Sequence, residues 1–193
     1  MLLDRLRRQD SYLCVGIGHL RNEKHLGKDD LIRLSSKTRK KILAVQFLDS
    51  SLIAGDFHIL SAAQNAVNAW SGGYAVSRGL DVEIAVYASG QRQIGPALQS
   101  MGVHDDLGFL ALVVVGDDDS AVKGTFQEIT RMVGMEMQPA FPMNPEKKRM
   151  IMKHFGIGEE ELKAVRASDD PEEVYEALAK CVASRVSMVA IDT

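Results

Sequence analysis

The stretch most able to do chemistry is Tyr87-Ala-Ser-Gly-Gln-Arg-Gln-Ile94. Read as a sequence, it is an apolar strand that breaks at Ser89-Gly90 and passes into a helix ending near Met101. A helix start leaves several backbone N–H groups without partners and carries positive partial charge. Arg92 adds a full charge on a planar fork suited to phosphate. Gln93 can read a base edge or a ribose hydroxyl, and Ile94 offers an apolar surface for a base. A small anion or a nucleic-acid end fits this grouping. An ordinary capped helix with an exposed arginine fits it as well. Pro96 is tolerated only in a first turn, so the regular helix is expected to begin near Ile94 or Gly95.

Other constellations point away from catalysis. Gly16-Ile-Gly18 follows a strand as a dinucleotide loop would, but Arg21 stands where the third glycine belongs and no helix follows, so the pair is expected to form a turn. Asp117-Asp118-Asp119, near Asp105-Asp106, offers hard-cation ligands. Directly after a strand, such a triplet more commonly makes a solvated turn and a helix N-cap, and Ser120 supports that. No two of the five histidines (His19, His25, His58, His104, His154) stand four apart, and no Gly-x-Ser-x-Gly elbow or Cys/His pair is present. His58, in the first turn of an expected helix, is a possible ligand donor or a packed residue. Cys14 and Cys181 form no metal or redox motif and read as small buried hydrophobes.

These residues need a scaffold, and the chain has the length for one. With 193 residues, 46% hydrophobic and 25% charged, it can bury a core without disulfides or metal. No apolar run reaches the roughly 18 residues of a membrane helix, and Met1–Asp10 carries arginines without an apolar core behind them. A cytoplasmic protein is expected, with no membrane partner. The net charge of −3 is uneven: residues 1–41 hold 11 Lys/Arg against 5 Asp/Glu, and residues 42–193 hold 12 against 21. The basic end is either a local dock for an anion or a solvated, partly mobile segment.

Strands are expected at Tyr12–Ile17, Lys41–Leu48, Val82–Tyr87, Phe109–Val115 and Arg185–Ile191. Helices are expected from Asp56, as N-cap, to Gly72-Gly73, then at Ala121–Val133, Pro145–Phe155, Glu159–Val165 and after Asp170-Pro171. His19–Lys40 is a polar, basic excursion without clear periodicity. Pro139, Pro142 and Pro145 mark a loop. Strands interspersed with helices, without a linker, predict one mixed α/β domain over residues 1–193. Its central sheet would be mostly antiparallel or mixed, with about five strands and flanking helices.

The run Val76-Ser-Arg-Gly-Leu-Asp-Val-Glu-Ile-Ala-Val-Tyr-Ala-Ser-Gly-Gln-Arg-Gln-Ile94, then Ala97-Leu98 and Gly102-Val103, resembles the small tRNA-recruiting subunit of the KEOPS complex, the p53-related-kinase-binding protein family. Glu83, Ile84, Tyr87, Ala88, Ser89, Gly90, Arg92, Gln93 and Ile94 match its core in order and spacing. Leu52-Ile-Ala-Gly followed by His58, and Ser184-Arg185-Val186 with Asp192, are similar too. The likeness covers roughly residues 41–193.

The resemblance implies a non-catalytic subunit without cofactors. Such a subunit serves an assembly that installs threonylcarbamoyl on the adenosine beside the anticodon. It implies two direct partners, the small atypical kinase subunit and the single-stranded 3′ CCA tail of tRNA, and an indirect one, the transferase subunit. Carried onto this chain, the RNA contacts are Ser89, Gly90, Arg92, Gln93 and Ile94, with Arg78 and His58 as further candidates. Arg78 could equally pair with Glu83, which is expected to be structural. Two rival readings are a kinase adaptor without RNA contact and a protein binding a phosphorylated metabolite at Ser89-Gly90. The basic excursion at 19–40 and Gly95-Pro96 depart from the family pattern.

Overall fold

A computed structural model describes residues 1–37 and 42–190. Lys40, Lys41, Ile191 and Asp192, which entered the sequence reading, lie outside the described residues. The chain opens with a hairpin, β1 (Leu2–Arg8) and β2 (Ser11–Arg21), followed by α1 (Lys28–Lys37) and β3 (Ala44–Asp49). Three helices come next: α2 (Asp56–Gly72), α3 (Leu80–Ser89) and α4 (Ile94–Met101). After β4 (Phe109–Gly116), α5 (Asp119–Val133) and the two-residue β5 (Met135–Glu136), the chain ends in α6 (Pro145–Phe155), α7 (Glu159–Val165) and α8 (Pro171–Met188). The architecture is mixed α/β, with an open antiparallel sheet in the order β1-β2-β4-β3 and β5 paired to β2.

The central strand β4 is covered on both faces, which explains its unbroken run of aliphatic residues. Ala111, Val113 and Val115 point into a core shared with α2, α3 and α8. Leu110, Leu112 and Val114 point the other way, toward α1 and α5. Alternation along a pleated strand sends successive side chains to opposite faces, so one strand serves two cores. Each fully buried Leu, Ile or Val contributes roughly 1.5–3 kcal/mol.

The α/β class and the number of strands agree with the sequence reading, but two strands were assigned to the wrong segments. Val82–Tyr87 is helical, the body of α3. Val82, Ile84 and Val86 alternate as a strand does, yet Leu80, Ile84, Tyr87 and Ala88 also satisfy helical spacing. This helix touches α2, α4, α8 and β3, so no polar stripe marks its period. Arg185–Met188 is the last turn of α8, whose buried Val174, Leu178, Cys181, Val182 and Val186 keep a helical interval. The sheet is completed instead by β1, in the arginine-rich stretch for which no strand was expected, and by β5.

The excursion at 19–40 is also structured where it is described. β2 continues to Arg21, and α1 follows. Buried Asn22 pins the connection, donating to the carbonyls of Leu26 (3.0 Å) and Leu107 (2.9 Å) and accepting from the Leu26 N–H (3.0 Å). Gly16 and Gly18 are not a turn but lie within β2. A Cβ at Gly18 would stand 2.4 Å from Phe126 Cζ, and one at Gly16 would stand 3.0 Å from Val122 Cγ1. The two glycines let α5 lie flat on the strand.

Smaller details follow the same logic. Asp56 is the first residue of α2 rather than its cap, which is Gly55. Asp118 caps α5, accepting from the N–H groups of Ser120 and Ala121. Among the described residues no group of His, Cys, Asp or Glu is arranged to hold a metal ion, and no helix is long and apolar enough to cross a membrane. Cys14 and Cys181 are free and buried, and burial raises both thiol pKa values, that of Cys14 to about 11.

Candidate functional site

Because α3 is a helix, Ser89-Gly90 is the end of a helix rather than the start of one. Gly90 sits in the left-handed region (φ 66°) and closes α3, its N–H donating to the Tyr87 carbonyl at 3.0 Å. A C-terminus leaves carbonyls to satisfy, and each of the last ones has a partner. The Ser89 hydroxyl donates to the Val86 carbonyl (2.8 Å). His58 Nε2–H donates to the Ala88 carbonyl (2.7 Å), and His154 Nε2–H donates to the Ser89 carbonyl (2.9 Å). Ser89 Oγ in turn accepts the Gln91 N–H at 3.2 Å. The turn is therefore held from three sides before any ligand arrives.

The positive helix end lies four residues on. α4 begins at Ile94, with Gln93 as an N-cap whose side chain makes no capping bond. Pro96 stands in the first turn, as its fixed φ requires, so the open N–H groups belong to Ile94 and Gly95. Ile94 is 37% exposed and Leu98, one turn later, is 39% exposed.

Between the turn that joins these two helices and the C-terminal ends of α6 and α8 is a cleft of about 190 Å³. Ser89, Gly90, Gln91 and Arg92 form one wall, and His154, Phe155, Arg185, Met188 and Val189 form the other. Arg185 is placed by the ends of α6 and α7. Its Nε donates to the Phe155 carbonyl (3.2 Å) and its Nη2 to Glu161 Oε2 (2.7 Å). His154 stands edge-on to Phe155, with ring centroids 4.7 Å apart. The cleft thus brings together two guanidinium groups, an imidazole, and the aromatic and aliphatic surface of Phe155, Met188 and Val189. It offers charge for a phosphate and apolar walls for a base. Among the described residues of the basic segment 1–41, none lines it.

The proposed contact residues separate into three groups. Ser89, Gly90 and Arg92 line the cleft, and exposed Gln93 and Ile94 continue directly from its rim. Arg78 is exposed but precedes α3, whose 10 residues span about 15 Å, so it stands at the far end of that helix. It does not pair with Glu83. The Glu83 carboxylate is buried and accepts the N–H groups of Val76 (3.3 Å) and Ser77 (2.8 Å), a structural role, though on a helix. His58 is fully buried beneath the turn, and its Nδ1 accepts the Ala54 N–H at 3.2 Å. It supports the site from below and presents no atom to a ligand. His154, Arg185 and Met188 had no local signal as site residues. His154 is 65 positions from its partner Ser89, and only packing of α6 and α8 against the end of α3 brings them in.

The turn itself is testable. Gly90→Ala would hold an alanine at a left-handed φ and set its Cβ 3.1 Å from Phe155 Cε1. A loss of about 1–2 kcal/mol in denaturant-measured stability is expected.

With this geometry in view, comparison with known proteins is decisive. The family model described as kinase binding protein CGI-121 matches residues 20–190. The chain belongs to the CGI-121 family. That family is the KEOPS subunit family reached from the Ala-Ser-Gly and Arg-Gln-Ile motif. The matched span begins inside β2 and covers the remaining elements, including every wall of the cleft. A curated CGI-121 relative, "Regulatory protein Cgi121" of Methanocaldococcus jannaschii, is 29% identical over 116 residues, which is 60% of this chain and 72% of that protein. Both descriptions are those of kinase-binding or regulatory proteins.

Proposed function

We propose that this chain is a non-catalytic subunit of a KEOPS assembly that holds the 3′ CCA tail of tRNA in the cleft between the α3–α4 turn and the ends of α6 and α8, and binds the small kinase subunit. In this reading it presents tRNA to the threonylcarbamoyl-transferase subunit. The observation that carries the RNA half is the cleft itself. Arg92 and Arg185 stand on opposite walls of a pocket that also presents Phe155, Met188 and Val189, near the helix start at Ile94. An unpaired tail offers what such a pocket takes: phosphates, unstacked bases and free ribose hydroxyls. Arg92 contacts phosphate, Gln93 a base or ribose edge, and Ile94 packs on a base. The kinase half rests on the family, whose members are described as kinase-binding.

The test is a titration of the purified protein with intact tRNA and with the same transcript lacking its CCA tail, at fixed salt because phosphate contacts are salt-sensitive. Binding that needs the tail supports the recruiter role. Equal binding of both transcripts, or of neither, overturns it. The family description then favours the second reading, an adaptor that binds the kinase without touching RNA.

A further inference from the structure

Helix α6 carries a charge pattern that neither the fold nor the cleft uses. Its sequence, Pro-Glu-Lys-Lys-Arg-Met-Ile-Met-Lys-His-Phe, holds four Lys/Arg against one Glu in a chain of net charge −3. Ile151 and Phe155 are buried and fix which face turns inward. Arg149 and Lys153, one turn apart, are exposed on the outer side, and neither makes an ion pair among the described residues. Lys148, by contrast, is committed to Glu159 at 3.2 Å. The helix that carries this ridge ends at the cleft: His154 and Phe155, which follow Lys153, belong to its second wall, while Arg149 and Lys153 lie outside its lining. At 1.5 Å per residue, Arg149 lies about 7.5 Å along the axis from His154.

We propose that Arg149 and Lys153 form a phosphate track for the RNA strand entering the cleft, on the 5′ side of the tail. This rests on the tail-binding reading above. Two exposed cations one turn apart on a helix that ends at the cleft suit a backbone rather than a base. Such contacts add affinity without sequence preference.

The experiment compares wild type with R149Q/K153Q by titrating intact and tail-less tRNA across a salt series. Each lost phosphate contact lowers the log–log salt slope by about 0.7 on a single strand and about 0.9 on a duplex. A fall of about 1.4–1.8 is expected for the pair, with affinity for intact tRNA reduced about tenfold at low salt. The preference for intact over tail-less transcript in the wild type should remain. An unchanged slope and affinity, with that preference retained, overturns the track but leaves the cleft standing. Loss of the preference in wild type overturns both. Both positions are exposed, so equal melting temperatures for the two proteins will verify the fold.

Discussion

Ile94→Glu is expected to lower affinity for intact tRNA by a factor of roughly 5–150 without altering the fold. The range follows from about 1–3 kcal/mol for one base stacked on a side chain at a single-strand site. In the proposed mode the substitution also sets a carboxylate close to the phosphate assigned to Arg92, which places the result toward the upper end. Ile94 is 37% exposed at the first residue of α4, so its replacement costs little packing. Arg92→Glu belongs in the same titration. It removes one cation from the cleft wall and adds an anion, so affinity and salt slope should both fall. The melting curve of Ile94→Glu should match wild type within the effect of a surface change. Affinity within twofold of wild type for Ile94→Glu would exclude this face from tail recognition.

His58→Ala is expected to be the most damaging single change to the scaffold under the site. His58 is fully buried and uses both ring nitrogens, donating to the Ala88 carbonyl and accepting the Ala54 N–H. Alanine leaves both backbone groups buried without partners and opens space against Phe155, whose ring centroid is 5.5 Å away. At about 1–3 kcal/mol for each unsatisfied group, the loss is roughly 2–6 kcal/mol. That corresponds to a fall in Tm of about 5–20 °C for a domain of this size.

The same residue makes the protein acid-sensitive. Burial, then the charges of His154 and Lys147, push the His58 pKa down to about 4 despite its bond to the Ala88 carbonyl. The unfolded chain binds that proton near pH 6.5, so the stabilising neutral form is fully favoured above 6.5 and its contribution is lost as pH falls toward 4. The loss reaches about 2 kcal/mol at pH 5. His19 acts in the same direction, lowered to about 4 by burial and then by Lys147. Chemical denaturation at pH 7 and pH 5 should show this drop, and His58→Ala should lose its own share of it. A wild-type stability unchanged between the two pH values would exclude a neutral buried His58.

Much of the scaffold was legible because its signals are local. Pro145 at a helix start, Gly73 and Gly102 at helix ends, and Asp118 as a cap act within one turn of chain, and those boundaries held. The motif from Ser89 to Ile94 was legible for a different reason: its spacing matches a family, and the family model covers it. Its physical description was half right: the helix start expected near Ile94 or Gly95 is the start of α4, but the segment before Ser89-Gly90 is the helix α3 and not a strand. A short apolar run buried on all sides satisfies periods of 2 and 3.6 alike, and only the neighbours of α3 decide between them.

By itself, then, the amino-acid sequence determined the α/β class, most helix boundaries, the family and the segment that forms one wall of the cleft. Tertiary structure decided the rest. It removed His58 to the interior, beneath the turn, and left Arg78 at the other end of α3, about 15 Å from Ser89 along the helix axis. It brought His154 and Arg185 to Ser89 across several intervening helices and strands, because the apolar faces of α6 and α8 must be buried against the same core as α3. A site assembled by burial from distant segments has no spacing rule along the chain, which is why half of this one could be seen only once the chain was folded.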